Sequence, residues 1–321
     1  MASARRITRT SGMALVTIFA IVGCATGRAW QPFGPPAAPA LSRNATAAEV
    51  VAHLNSNIQR CSGWQAHNVN VESNGFLLPA NATVAVESPR NFRMLVSAMS
   101  VDVADLGSNQ ERMWFWVRTP EKQSPGGQYA YTCTHADLPA AQAKMGLPFR
   151  PNWLMEVMGV MPIDPNSVTM RTDPANEGLL LLESELPSTT GQSLTRRITV
   201  DAQSGTIVSH ALADAATGQV LAEARMTDHE PDPETGVLLP HQITLAYPRL
   251  EFELTMTFTE DIAVNPTSFA ATTWQPTVAS AYPFMDILTR SIVTLEPHAP
   301  AVEQVAAPGP GTAVPWNPPA D

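Results

Sequence analysis

No nucleophile, phosphate-loop or metal signature runs through these 321 residues. There is no GxSxG, no HExxH, no P-loop and no GxGxxG, so the patterns that activate a serine, hold a catalytic zinc or cradle a phosphate are missing. The seven histidines, at 53, 67, 135, 210, 229, 241 and 298, are scattered. His229-Glu230-Pro231-Asp232 clusters polar groups, but in a stretch with loop character, where such residues are common. His135 lies two residues from Cys133, a spacing that on a strand end does not of itself make a catalytic pair. The expectation is a protein with no catalytic residue, no metal and no cofactor. Basic residues are also scarce: 19 Lys and Arg stand against 29 Asp and Glu, a net charge of -10. Such a surface does not attract nucleic acid. Only 15% of the chain is charged while 44% is hydrophobic, which suits a folded core with a Thr/Ser/Asn-rich exterior.

Cysteine is rare, with residues 24, 61 and 133 only. The first lies in a leader. Arg5, Arg6 and Arg9 are followed by an apolar run from Met13 to Val22, about half the ~20 residues a helix needs to cross a bilayer. That run reads as the apolar region of an export signal. It ends in Ile21-Val22-Gly23-Cys24, which resembles a lipobox, the site at which bacterial lipoprotein precursors are lipidated and cleaved. An ordinary secretory signal cut near Ala25 or Ala29 is the alternative. On the lipoprotein reading, residues 1–23 are the signal peptide and Cys24 is the lipid attachment site. Loss of the three arginines moves the net charge from -10 to -13. Each buried acyl CH₂ contributes about 0.8 kcal/mol, so two or three chains make a stable anchor. Ala25 is not Asp, which by the rule known for enteric bacteria favours the outer membrane, facing the periplasm. In such an oxidising compartment the remaining pair suggests a disulfide, Cys61–Cys133. Closing that loop of about 72 residues would add roughly 4 kcal/mol. Two buried free thiols are the alternative.

Residues 24–45 carry Pro32, Pro35, Pro36 and Pro39 amid Gly and Ala and read as a flexible tether. Residues 291–321 are Pro- and Ala-rich and read as a disordered tail. Between them, residues 46–290 should fold. Thr46 and Glu49 form a capping box ahead of Val50, Leu54 and Ile58 at helical spacing. Strand-like runs follow at Trp64–Glu72, Ala82–Glu87, Asn91–Met99, Arg112–Arg118 and Tyr129–Cys133, separated by turns that include Gly107-Ser108-Asn109. Two helices come next. Asp137 caps the first, with Pro139 in its first turn and Gly146 past its end. The second starts near Pro151, carries Trp153, Leu154, Val157, Met158 and Met161 on one stripe, and stops at Pro162. Strands resume at Val168–Arg171, Leu179–Glu185, Leu194–Val200, Thr206–Leu212, Val220–Asp228, His241–Tyr247 and Arg249–Thr259. Asp201–Gly205 and Ala216–Gly218 read as hairpin turns and Asp232–Gly236 as a longer loop. In the last strand Leu250, Phe252, Leu254, Met256 and Phe258 alternate with Glu and Thr, the pattern of an antiparallel strand with one covered face.

This order gives an α+β fold whose antiparallel sheet of about 11 strands must curl or close on itself, with the mid-chain helices as its natural cover. Its apolar face can be filled by side chains or by a ligand. Met155, Met158 and Met161 beside Trp153 form a soft surface that adapts to irregular apolar ligands, or else fills gaps in a core. Trp114, Phe115 and Trp116 supply large apolar groups to both faces of one strand. The order helix, sheet, helix pair, sheet resembles the LolA/LolB family of lipoprotein-sorting proteins. Asn91–Val96, Leu106–Asn109 and Met113–Phe115 look like that family's second and third barrel strands. Leu239-Pro240-His241 through Leu254 to Val264, Asn265 and Phe269 look like its closing strands.

The resemblance implies a curled, antiparallel, open β-barrel closed by a helical lid over a hydrophobic cavity, with Phe92, Met94, Val96, Leu254, Met256 and Phe258 lining the cavity and Trp153, Leu154, Val157 and Met158 on the lid. It implies binding of lipid, or of the acyl chains of lipoproteins, with other lipoproteins as partners and the membrane reached through the lipid on Cys24. Arg93 matches in position an arginine that hydrogen-bonds and gates the lid in the soluble carrier. Its parity is opposite to Phe92 and Met94, which favours the outer surface instead. Leu77 or Leu78 would stand for the exposed apolar loop residue of the membrane-anchored acceptor. The competing reading is an envelope sensor or protein-docking scaffold whose barrel is filled by its own side chains.

Overall fold

The computed structural model describes residues 38–74, 79–118, 129–145, 150–172, 176, 178–186, 193–270, 272–277 and 282–295. Cys24, the leader, most of the tether, Leu77, Leu78, Gly146 and the tail from residue 296 lie outside the described residues. None of the described helices is long and apolar enough to cross a membrane.

Helix α1 (Ala47–Ile58) begins with the expected capping box: Glu49 N donates to Thr46 Oγ1 at 3.3 Å and Thr46 N donates to Glu49 Oε2 at 2.7 Å. Its buried stripe of Val50, Val51 and Leu54 packs on Ile163, Leu180, Leu182, Ile198 and Val200. Five paired strands and their neighbour follow: β1 (Gly63–Ser73), β2 (Ala80–Glu87), β3 (Asn91–Ala98), β4 (Val101–Ser108), β5 (Arg112–Val117) and β6 (Ala130–Thr134). Then come α2 (Leu138–Met145) and α3 (Pro151–Val157). The second half holds β7 (Thr169–Thr172), β8 (Leu179–Leu186), β9 (Leu194–Asp201), β10 (Thr206–Asp214), β11 (Val220–Pro231), β12 (Leu238–Tyr247) and β13 (Phe252–Thr257). Short strands β14 (Ala263–Val264), β15 (Phe284–Asp286) and β16 (Ile292–Val293) close the list.

Among the described residues sixteen strands join one sheet, in the order β16-β15-β6-β5-β4-β3-β2-β1-β13-β12-β11-β10-β9-β8-β7, with β14 on β1. Every pairing is antiparallel except β6–β15, so this is the expected curled antiparallel sheet with helices, larger by several strands. The edges β7 and β16 do not pair with each other, which leaves the barrel open. The curl is set by side chains: inward residues of β1–β4 and of β10–β13 share one core cluster with α3.

Several expectations need correction. Residues 101–108 form a full strand, although only a turn at 107–109 was expected there; the two aspartates and the glycine hide its pattern. Gly107 and Ser108 are its last residues. The chain bends at Pro248–Leu250, a 3-10 turn with Glu251 left-handed, so the last long strand starts at Phe252 and Leu250 is exposed. The lid helix α3 ends at Val157, and Gly159 takes φ +73 just after it, a conformation that glycine adopts without strain. The tether ends earlier than residue 45: Leu41 and Ala45 are buried, and the backbone of Ala40 and Leu41 bonds Gln203 and Ala202. Residues 291–295 are not tail, since Ile292 and Val293 pair with β15.

The expected bridge is also corrected. Cys61 and Cys133 are free, buried thiols. Cys61 belongs to the main core beside β1, while Cys133 lies on β6 in a separate cluster with Met113, Leu138 and Ile287. Four strands separate β1 from β6 in the sheet, and neighbouring strands are about 4.8 Å apart, whereas a disulfide needs Cα atoms within about 7 Å.

Candidate functional site

The cavity follows from strand register. On β3, Phe92, Met94 and Val96 point the same way, and each faces a partner of the same sense on β4: Ser108, Leu106 and Ala104. Those in turn sit opposite Met113, Phe115 and Val117 on β5. In the other half of the sheet, Ile243, Leu245 and Tyr247 of β12 face Met256, Leu254 and Phe252 of β13. Curling brings the two sets together, and α3 lies over them with Leu154, Met155 and Met158 turned inward.

The result is a cavity of about 390 Å³ with an almost wholly apolar wall, within the range of small-molecule sites. Val117 and Leu250 line it and are 43% and 50% exposed, so it opens to solvent at their end. The deeply placed Tyr247 phenol is pushed up to about 12 by burial and stays protonated. None of the described lining residues carries a charge at neutral pH.

Of the ten residues expected to line the cavity, Phe92, Met94, Val96, Leu154, Met158, Leu254 and Met256 do. Three do not. Phe258 packs edge-on against Trp64, ring centres 5.6 Å apart, and fills core instead. Trp153 is buried against His210 and Tyr247. Val157 borders a different pocket. Leu106, Val117 and Tyr247 are lining residues that sequence reasoning missed, and Met155, Phe115 and Leu250, singled out as apolar but not placed in the cavity, line it as well. The unrecognised β4 accounts for Leu106 directly. Phe115 and Val117 lay on a recognised strand, and the alternation Met113–Phe115–Val117 could have found them.

Among the described residues the lid comes from α3 alone. Helix α2 packs beside β6, with Leu138 and Ala141 against Cys133 and Ile287, and none of its described residues lines the cavity. The C-terminal end of α3 is fastened by two devices. Trp64 Nε1 donates to the Met158 carbonyl at 2.9 Å. Glu156 accepts from Arg196 Nη1 at 2.9 Å through both oxygens, and His210 Nε2 stands 3.1 Å from Glu156 Oε2. Arg196 is itself held by Ser184 Oγ at 2.9 Å. Burial opposes ionisation of Glu156, but the His210 contact and the Arg196 guanidinium outweigh it, and the carboxyl lies below the ordinary glutamate value. Burial pulls His210 below the ordinary histidine value, against the pull of Glu156.

Arg93 points to the outer face, as its parity requires, but it is not a surface residue. It is 5% exposed and forms a two-point pair with Asp105, Nε to Oδ1 at 2.8 Å and Nη2 to Oδ2 at 2.9 Å. It also donates to the carbonyls of Thr273 and Gln275 and to Thr277 Oγ1. Asp105 accepts from Thr277 N at 3.0 Å and from Trp114 Nε1 at 3.0 Å. Arg93 therefore holds the segment 272–277 against the outside of β3 and β4 and makes no contact with the lid. Beside it, Trp114 and Trp116 face the same outer side and pack with Ala130 and Phe284. The expectation that β5 is apolar on both faces is met: cavity on one side, C-terminal strands on the other.

No protein-family model matches the sequence, nor does any curated protein. Solved structures with a similar chain trace include a candidate outer membrane lipoprotein-sorting protein domain from Vibrio parahaemolyticus, 10% identical, with 71% of this chain and 97% of that one covered at a TM-score of 0.45. A DUF1329 family protein from Desulfovibrio piger is 10% identical over 71% of this chain and 96% of that one, TM-score 0.43. A LolA superfamily protein from Nitrosomonas europaea is 12% identical over 72% of this chain and 98% of that one, TM-score 0.41.

Proposed function

We propose that this protein takes an acyl chain of a lipid or lipoprotein into the cavity under α3, as a membrane-anchored carrier of the bacterial envelope. The observation that carries the reading is the open cavity of about 390 Å³ with its apolar wall. Cavities lined by Leu, Met and Phe stay dry, and an apolar ligand gains where water does not. Each CH₂ moved from water into such a site contributes about 0.8 kcal/mol, so a chain of several carbons outweighs the ordering of a short lid. Such binding needs no catalytic group. Lipid attached at Cys24 would hold the carrier at the outer membrane facing the periplasm, with residues from about 25 to 38 as the tether and other lipoproteins as its partners.

A barrel filled by its own side chains, serving only to dock a protein, is disfavoured by the same cavity. The test is fluorescent fatty-acid binding by the full chain carrying Cys24→Ser, which removes the acyl-acceptor thiol. Saturable binding supports the carrier. A protein that purifies without lipid and leaves the probe unbound moves the assignment to docking.

A further inference from the structure

The other side of α3 borders a second pocket, of about 310 Å³, between α1, the β9–β10 turn and the strands β11 and β12. Its apolar walls include Leu54, Ile58, Val157, Met226 and Leu239. Its polar groups are unlike anything in the acyl cavity: His53, Arg60, His210 and Glu156 all border it. Two of them lack a complement. His210 is 1% exposed; its Nε2 stands 3.1 Å from Glu156 Oε2 without a well-formed hydrogen bond, and its Nδ1 has no partner. A buried ring nitrogen in that state is able to accept a bond from an occupant of the pocket.

Arg60 bonds only neutral oxygens: the Ser56 carbonyl at 3.2 Å, the Thr235 carbonyl at 3.3 Å and Asn57 Oδ1 at 3.1 Å. Among the described residues it forms no ion pair, whereas the Glu156 charge is matched by Arg196. The charge left over at the pocket is positive. Among the described residues no three His, Cys, Asp or Glu groups gather to hold a metal ion. The volume sits at the lower end for ligand sites, so the ligand is small.

We propose that this pocket binds a small amphipathic carboxylate carrying a hydroxyl. The carboxylate pairs with Arg60 at the mouth, the short apolar chain lies against Leu54, Val157 and Met226, and the hydroxyl donates to His210 Nδ1. The site is separate from the acyl cavity and does not rest on the carrier reading.

The test is a titration of the full chain carrying Cys24→Ser with 3-hydroxyoctanoate and with octanoate, followed by NMR. The histidine ring signals report this pocket and the methionine methyls of Met94 and Met256 report the acyl cavity. The expected result is saturable shifts of the His53 and His210 rings, with the hydroxylated probe about fivefold tighter, as one hydrogen bond allows. Arg60→Gln should weaken both at least about tenfold and Arg60→Lys should retain most of the affinity, as a charge-assisted contact requires. Should Arg60→Gln fail to fold, His210→Phe removes the acceptor and should erase the preference for the hydroxyl. Shifts confined to Met94 and Met256, no shift at all, or equal affinity for the two probes would overturn the proposal.

Discussion

Arg196 places one guanidinium nitrogen 2.9 Å from each carboxylate oxygen of Glu156, joining β9 to the lid helix in the protein interior. Both side chains are largely buried, at 8% and 16% exposure. Removing one partner strands the other charge away from water, which typically costs about 3–5 kcal/mol. Arg196→Met should therefore lower the denaturant midpoint sharply. The double variant Arg196→Met, Glu156→Met should recover a large part of that loss. A double variant no more stable than the single one would show that the pair holds nothing.

The same cluster sets a dependence on pH. His210 is depressed below 6.5 in the fold, so acidification protonates the unfolded chain first and folding stability falls as the pH drops from about 6.5. Glu156 is depressed below 4.5, so its contribution is full above that value and is lost as the pH falls through its folded-state titration. Both act in one direction. Urea unfolding between pH 8 and pH 4 should show stability declining towards acid, and His210→Gln should flatten the upper part of that decline. A profile that is level from pH 7 to pH 5 contradicts it.

Gly107 is a packing requirement of the outer face. A Cβ there would meet the Trp114 ring at 2.1 Å, a distance at which something must move. Trp114 is pinned by its bond to Asp105 and has little room to yield. Gly107→Ala should destabilise by about 1–3 kcal/mol and disturb the segment held by Arg93. Calorimetry would check it, an unchanged melting temperature being the contrary result.

The two buried thiols should be silent. Burial pushes both Cys61 and Cys133 up to about 11, so neither is a thiolate at neutral pH. In the chain carrying Cys24→Ser, a thiol reagent should label them only after unfolding, and reduction should leave the mass unchanged. Rapid labelling of the native protein, or a gain of two mass units on reduction, would refute this.

Much of the inner wall was legible because its signal is local. Apolar residues at every second position, Phe92, Met94 and Val96 and again Leu254 and Met256, report a covered face wherever the strand goes. The capping residues Thr46 and Glu49 likewise act within one turn. What escaped depends on partners distant in sequence. The strand β4 reads as polar, yet Asp105 is buried there because Arg93, twelve residues away, matches its charge and Thr277, which the chain delivers from its far end, donates to its oxygen. Arg93 itself was placed on the correct face but not under cover, for the same reason. The cluster of Glu156, Arg196 and His210 draws on three elements, and no spacing in the sequence announces it. Phe258 alternates with Met256 yet turns into core, because Trp64 on β1 meets it edge-on.

The most direct test of the carrier reading uses the cavity mouth, where substitution leaves the core intact. Val117 and Leu250 line the cavity and are exposed, so Val117→Arg and Leu250→Arg should fold normally. Fluorescent fatty-acid titration should show saturable one-site binding to the parent chain and a loss of at least about tenfold in the double variant, the cost of placing charge at an apolar entrance. Equal binding by parent and variant, or none by either, contradicts the account.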